Sequence, residues 1–366
     1  MKIETEKSKI ELAIQKAARL ANKHLTLPVL SCVYIEALAD GKLIIKSTNL
    51  DLGLEIETKV KTIESGSVAV PAQILQNTLS SIKDNDLVIE TVENNLKISS
   101  KNNSVLIKCM SHDDFPSIPR LKEENSIKIN CSDLMSGFRS VWYSASTSNI
   151  KPELSSVYIY KGDTGLVFVS TDSFRLAEKK VNTKLPVEFP QTLIPYKNVA
   201  EIVRLFEDNK EDITIVFEKN QAAFISKDLY LVSRLIDGSF PDYKQIIPKF
   251  YSTTSTILKN DLINSIKTSN IFSDSLNQVK LKVDIEAKSL NIESKNNEVG
   301  EYKEAIKSSV VGDQIELNFN SKYLVDCMQS IPSDSLTLSF GGMGKPLAIS
   351  GASDKSFLYI VMPMNR

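Results

Sequence analysis

Residues able to do acid–base or metal chemistry are sparse in this 366-residue chain, which holds only two histidines, His24 and His112. His112 sits in Ser111-His112-Asp113-Asp114-Phe115-Pro116, an imidazole beside two carboxylates that could ligate a metal or move a proton for hydrolysis. Neighbouring residues of one loop seldom all face one ion, and no second histidine at helical spacing supports the site. Cys32, Cys109, Cys131 and Cys327 form no CxxC pair, so neither a zinc site nor a redox motif is expected, and the thiols read as small buried hydrophobes in a reducing compartment. Gly341-Gly342-Met343-Gly344-Lys345 looks like a phosphate loop, but its spacing is wrong and it joins two strands, so it reads as a hairpin turn. There is no G-x-S-x-G, Walker A or Rossmann glycine pattern. Catalysis, a cofactor and a bound metal are all unexpected.

Recognition chemistry has better candidates. Thr171-Asp172-Ser173-Phe174-Arg175-Leu176-Ala177 lies between the strand-like runs Leu166–Val169 and Glu178–Val181. A Thr-Asp-Ser cluster there predicts a tight turn, because Asp and Ser side chains hydrogen-bond nearby backbone. A second apolar segment, Tyr359-Ile360-Val361-Met362-Pro363-Met364, closes the chain.

The elements that position these stretches recur about every 123–128 residues, a domain-sized period. Amphipathic helices are predicted around Ile10, Ala13, Ile14, Ala17, Ala18 and Ala21, from Asp133 to Trp142, and from Asn260 to Ile266, the last with Asn260 or Asp261 as N-cap. Turn regions follow at Ser47–Leu52, Ser170–Arg175 and Glu293–Glu298. Second helices begin at Pro71-Ala72, Pro195-Tyr196 and Asn320-Ser321, with proline suited to a first turn. Hairpins pair Leu87–Ile89 with Leu96–Ile98, Ile213–Ile215 with Ala223–Ile225, and Leu336–Leu338 with Leu347–Ile349. The expected fold class is α+β: three tandem copies of a domain with two helices on an antiparallel sheet, at 1–125, 126–249 and 250–366. Such tandem copies suit a scaffold that curves or closes by repetition.

Formal net charge is -1, so affinity for nucleic acid requires local segregation of charge. Helical segments carry Lys9, Lys16, Arg19 and Lys23, with Lys7 just before them, and Arg139, Lys197, Arg204, Lys259, Lys267 and Lys322, while acids concentrate in strands and turns. Lys16, Arg19 and Lys23 share a face, as do Lys197 and Arg204, so the cations can form a stripe that neutralises phosphates without reading bases. No apolar run approaches the length of a membrane span and the N-terminus lacks a signal-peptide core. A cytoplasmic chain is expected.

The order of these signatures resembles the bacterial sliding clamp, the β subunit of DNA polymerase III. The resemblance spans the chain: Leu25–Leu30 after the first helix, Phe115-Pro116, Thr171–Ala177, Ile236-Asp237-Gly238-Ser239-Phe240-Pro241-Asp242-Tyr243, and Tyr359–Met364. It implies a head-to-tail homodimer, a ring whose helices line a hole around double-stranded DNA and contact it without sequence preference. It also implies a pocket between the second and third domains for short linear motifs. Partners would be the replicative polymerase α subunit, the clamp-loader δ subunit, and other polymerases and repair proteins; no membrane is involved.

Carried over by position, that pocket would comprise Thr171, Ser173, Phe174, Arg175, Leu176, Pro241, Ile246, Ile360, Val361, Met362, Pro363 and Met364. Methionine suits a surface serving several partners, and Arg175 would offer a cationic fork. DNA contacts would come from Lys23, His24, Ser148 and Asn149, with Lys197 and Arg204 from the helical stripe. The dimer seam would set Val105 and Ile107 against Ile271 and Phe272, with Lys101 and Lys108 facing Glu298, Glu301 or Glu304. Departures are Ser173-Phe174 where the family usually has Gly-His, His24 where it has Arg, Lys151 and Gln245 where Arg is frequent, and an Asn365-Arg366 end. A pocket of the same shape with altered motif preference is expected.

Overall fold

A computed structural model describes residues 1–22, 26–123, 126–184 and 189–364. The chain divides into two compact units, Met1–Cys131 with Arg204–Leu235, and Ser132–Val203 with Ile236–Arg366.

In the first unit, an eight-stranded antiparallel sheet runs Ser126–Asn130, Asp212–Glu218, Gln221–Ile225, Leu229–Arg234, Leu52–Lys59, Lys42–Thr48, Cys32–Ala37, Gly66–Pro71. A five-stranded sheet runs Lys61–Glu64, Lys2–Glu6, Asp86–Val92, Asn95–Ser99, Ser104–Ile107. Helices α1 (Lys7–Leu20) and α2 (Ala72–Ser81) pack together. The α1 stripe buries Ile10, Ala13, Ile14, Ala17 and Leu20, the spacing that puts one apolar face on a helix.

The second unit is built the same way. Its nine-stranded sheet runs Thr192–Pro195, Ser156–Lys161, Gly165–Thr171, Arg175–Asn182, Phe357–Val361, Leu347–Gly351, Ser335–Phe340, Thr253–Leu258, Ser309–Gly312. Its four-stranded sheet runs Gly300–Lys307, Ser289–Asn296, Gln278–Asp284, Ile315–Asn320. The remaining helices are α3 (Cys131–Val141), α4 (Tyr196–Leu205), α5 (Lys259–Ser269) and α6 (Ser321–Asp326).

The sheets do not respect the repeat. Leu52–Lys59 pairs with Leu229–Arg234, and Arg175–Lys179 pairs with Phe357–Val361. Each pairing gives an edge strand of one copy its hydrogen bonds from the next copy, which removes an otherwise open edge.

Three local expectations are corrected. The N-cap of α5 is Leu258, so Asn260 and Asp261 lie inside the first turn; the side-chain cap occurs at α6, where Asn320 Oδ1 accepts from the amides of Lys322 and Tyr323. The third turn falls after Asn296, with Glu293–Lys295 still in strand. Two helix lysines face inward: Lys7 Nζ donates to Ile82 O at 2.7 Å and Lys259 Nζ to Ile331 O at 2.7 Å. Cations satisfying carbonyls just past a helix end are stabilised by the partial negative charge there. The second copy uses the Cys131 thiol on Phe206 O instead.

The glycine run is a turn between Ser335–Phe340 and Leu347–Gly351, with Gly342 and Gly344 at positive φ. None of the four cysteines, all among the described residues, forms a disulfide. No helix among the described residues is long and apolar enough to cross a membrane.

Candidate functional site

The central turn is held by its own side chains. Asp172 Oδ1 accepts from the amides of Phe174 and Arg175, both at 3.0 Å. Thr171 Oγ1 donates to Arg175 O at 2.6 Å and accepts from the Ser173 amide at 3.2 Å. Together these hold Ser173 at φ 78, a region costly for residues other than glycine. The first copy repeats the device with Thr48, Asn49 and Leu50, the last at φ 74. In the third copy Asn296 Oδ1 accepts from the Glu298 amide.

Strand pairing then delivers the chain end to this turn. Arg175 lies opposite Val361 and Leu176 opposite Ile360. Past the strand end, the Met362 amide donates to Phe174 O at 2.8 Å and the Met364 amide to Asn318 O at 2.8 Å. Phe174 is 63% exposed and Met362 37%, so two large apolar side chains stand at the surface where the strands part. Leu176, Ile360 and Val361 are buried beneath them, and Thr171 is buried at the end of its strand.

Leu176 and Ile360 pack in a cluster with Val167, Val169, Tyr243 and Ala348, onto which Phe240 and Ile247 also fold. Pro241 and Ile246, both exposed, are carried on that last segment. The fold therefore gathers the turn, the 240–247 segment and the C-terminal strand on one cluster.

Arg175 departs from the expected role. Its Nε donates to Asp172 Oδ2 at 3.0 Å, Nη1 to Asp326, and Nη2 to Tyr143 O at 2.8 Å, while the guanidinium sits 4.4 Å over Tyr323. The fork braces the turn against α6. Two carboxylates neutralise it, so the apolar surface beside it gains little positive field.

The same turn in the first unit has different lips. The Arg234 amide donates to Asp51 O at 2.9 Å, as Met362 does to Phe174 O, and Arg234 Nη1 lies 3.9 Å from Asp51 Oδ1. Two hydrated charges stand where the second unit has Phe174 and Met362. Seating an apolar ligand there would require stripping water from both charges.

Among the DNA candidates, Lys197, Arg204, Ser148 and Asn149 are exposed, whereas Lys23 and His24 lie outside the described residues. Ile150, next to Asn149, is 88% exposed. At the predicted seam, Val105 is half-buried and Ile107 buried, while Leu106 between them is 57% exposed. The alternation of a strand turns Leu106 outward. Ser104–Ile107 is an open edge of the five-stranded sheet. Lys101 and Lys108 are exposed beside it. In the second unit, Gly300–Lys307 is an open edge of the four-stranded sheet, with Glu301 and Glu304 on the strand and Glu298 before it. Ile271 is 65% exposed and Phe272 stacks on Tyr302 at 6.2 Å. His112 meets Ser67 Oγ at 3.2 Å and the Tyr34 ring, and no group of three potential metal ligands occurs among the described residues.

Comparison with known proteins matches the whole repeat. Family models of the DNA polymerase III β subunit match its N-terminal domain to residues 1–119, its central domain to 128–242 and its C-terminal domain to 244–365. The beta sliding clamp of Staphylococcus aureus (strain Mu50) is 26% identical over 349 residues, covering 93% of this chain and 92% of that protein. Similar folds include the DNA polymerase sliding clamp of Bacillus subtilis, with TM-score 0.92 at 24% identity over 100% of this chain and 99% of that one. The DNA polymerase III subunit beta of Pseudomonas aeruginosa gives TM-score 0.93 at 22% identity, covering 100% of both chains.

Proposed function

This chain belongs to the bacterial DNA polymerase III β-subunit family, and from that premise we propose that it is a DNA polymerase processivity factor acting as a sliding ring. Members of the family are non-catalytic accessory factors. Three domains, divided near residues 125 and 249, form each subunit, and two subunits close head to tail around duplex DNA. The open edge Ser104–Ile107, with exposed Leu106 and flanking lysines, meets the partner's open edge Gly300–Lys307, which carries Glu301 and Glu304 together with Lys303 and Lys307. Exposed cations on the helices, Lys197 and Arg204 among them, face phosphates and allow sliding because they read no bases.

A pocket formed by Phe174, Pro241, Ile246 and Met362–Met364 receives short peptide motifs from the polymerase α subunit, the loader δ subunit and repair proteins. The observation that carries this reading is the pairing of Arg175–Lys179 with Phe357–Val361, which sets Met362 against Phe174. Methionine adapts to differing side chains, and an apolar surface with its arginine already neutralised favours uncharged, apolar peptide residues.

The ring is tested by loading the chain on nicked circular DNA with its clamp loader, then linearising. Retention on the circle and rapid loss from the linear form are expected. Equal retention on both, or none on the circle, would contradict a ring.

A further inference from the structure

One buried carboxylate in the second unit is unused by the pocket as described. Glu178 is 6% exposed and sits on Arg175–Asn182, one position past Ala177, which pairs with Ser170. It accepts a hydrogen bond from the Tyr243 hydroxyl, and that hydroxyl also meets Tyr160 Oη at 2.8 Å. Lys180 Nζ lies 3.4 Å from the other carboxylate oxygen. Burial, with Glu178 as acceptor, pushes the Tyr243 phenol well up, so it stays protonated and donating. Tyr243 opens the short 3-10 turn Tyr243–Ile246, its amide donates to Pro241 O at 2.7 Å, and Phe240 stacks on Tyr158 at 4.9 Å. The bond to Glu178 thus ties down the segment that carries Pro241 and Ile246.

The repeat shows that this acid is more than core filling. Ser47, Ser170 and Ser294 occupy matching positions, opposite Leu54, Ala177 and Tyr302. The next residues are Glu55, Glu178 and Lys303. Glu55 binds Arg120, in the segment that ends the first copy; Arg120 lies 4.1 Å over Tyr230, whose hydroxyl donates to Pro119 O at 2.9 Å. Lys303 pairs with Glu293 on the adjacent strand at 2.9 Å. The two copies that lead into another copy carry a carboxylate that holds the connecting segment; the last copy carries the opposite charge.

We propose that Glu178, acting through Tyr243, is a positioning residue for the peptide pocket, holding Pro241 and Ile246 in place for an apolar peptide. The inference rests on the pocket reading above. A buried carboxylate demands a donor, so the Tyr243 segment has one low-energy seat and the wall is ordered before a ligand arrives.

The test is titration of a fluorescent pentapeptide ending in Leu-Phe into the full-length protein and its variants, with melting temperatures measured in parallel. Tyr243→Phe keeps the ring in the cluster and removes only the hydroxyl; it and Glu178→Leu should each weaken binding about tenfold. Glu178→Gln, whose amide oxygen still accepts from Tyr243, should restore binding to within about twofold of wild type. Glu55→Leu, which removes the matching anchor in the first unit, should lower stability without changing peptide affinity. Wild-type affinity in Tyr243→Phe overturns the proposal, as does an equal loss of affinity in Glu55→Leu. If the wild-type protein itself fails to bind the peptide, the pocket reading falls and this inference falls with it; binding by wild type with no effect of Tyr243→Phe removes the inference alone.

Discussion

The amide of Met362 donates to the carbonyl of Phe174 at 2.8 Å, fixing the first residue beyond the C-terminal strand opposite the tip of the central turn. The bond joins residues far apart in sequence through backbone alone, so their side chains stay free to meet a ligand. Met362→Ala should therefore weaken binding of an apolar motif peptide by about 1–3 kcal/mol through lost burial, without a change in melting temperature. Calorimetric titration checks this, and an unchanged isotherm would count against the pocket.

The contrast between the two units predicts a switch. Phe174→Asp combined with Met362→Arg copies the Asp51 and Arg234 lips of the first unit onto the second. The exposed ion pair adds little stability, about 0–1 kcal/mol, but it sets hydrated charges where an apolar side chain would seat. Peptide binding should be lost while the fold persists by circular dichroism; retained binding would show that the lips do not select the ligand.

Asp172 does two jobs, accepting two amides and neutralising Arg175. Asp172→Ala should destabilise the second unit by about 1–3 kcal/mol in urea unfolding, since donors are left unpaired. Asp172→Asn keeps the amide acceptor and should recover part of that loss. Equal midpoints for the two variants would assign the whole effect to charge.

The thiols should resist alkylation in the native protein. Burial pushes Cys109 up to about 11 and Cys327 higher still, and burial also raises Cys32. A raised thiol pKa means less thiolate at a given pH, so reactivity is low at pH 8 and climbs as pH approaches the pKa. For Cys109 the thiolate at pH 8 is on the order of one part in a thousand. Mass spectrometry after iodoacetamide should find native Cys327 unlabelled and all four cysteines labelled in denaturant; rapid native labelling of Cys327 would contradict its burial.

Leu106 is the exposed large apolar residue on the open edge Ser104–Ile107. Leu106→Lys should weaken self-association at least about tenfold, given the burial energy of a leucine. Sedimentation velocity across a concentration series reads this directly, and a wild-type chain that stays monomeric at micromolar concentration would remove the seam.

Periodicity and turn chemistry alone determined most of the local structure. The α1 stripe, the three hairpins and the turns after Ser47 and Ser170 depend on side chains within a few residues of one another, so they are legible in the chain. Tertiary structure decided what those elements do. Lys7 and Lys259 carry the same charge as Lys197, yet their ammonium groups cap carbonyls of a distant segment, because only the fold brings a helix end within reach. Arg175 reads as a free fork until Asp326 and Tyr143, remote in sequence, close on it. Leu106 and Ile107 differ only in which side of a strand they occupy, and pairing sets that side. Glu178 is one acid among many in the sequence; burial made it need a donor, and the donor is Tyr243.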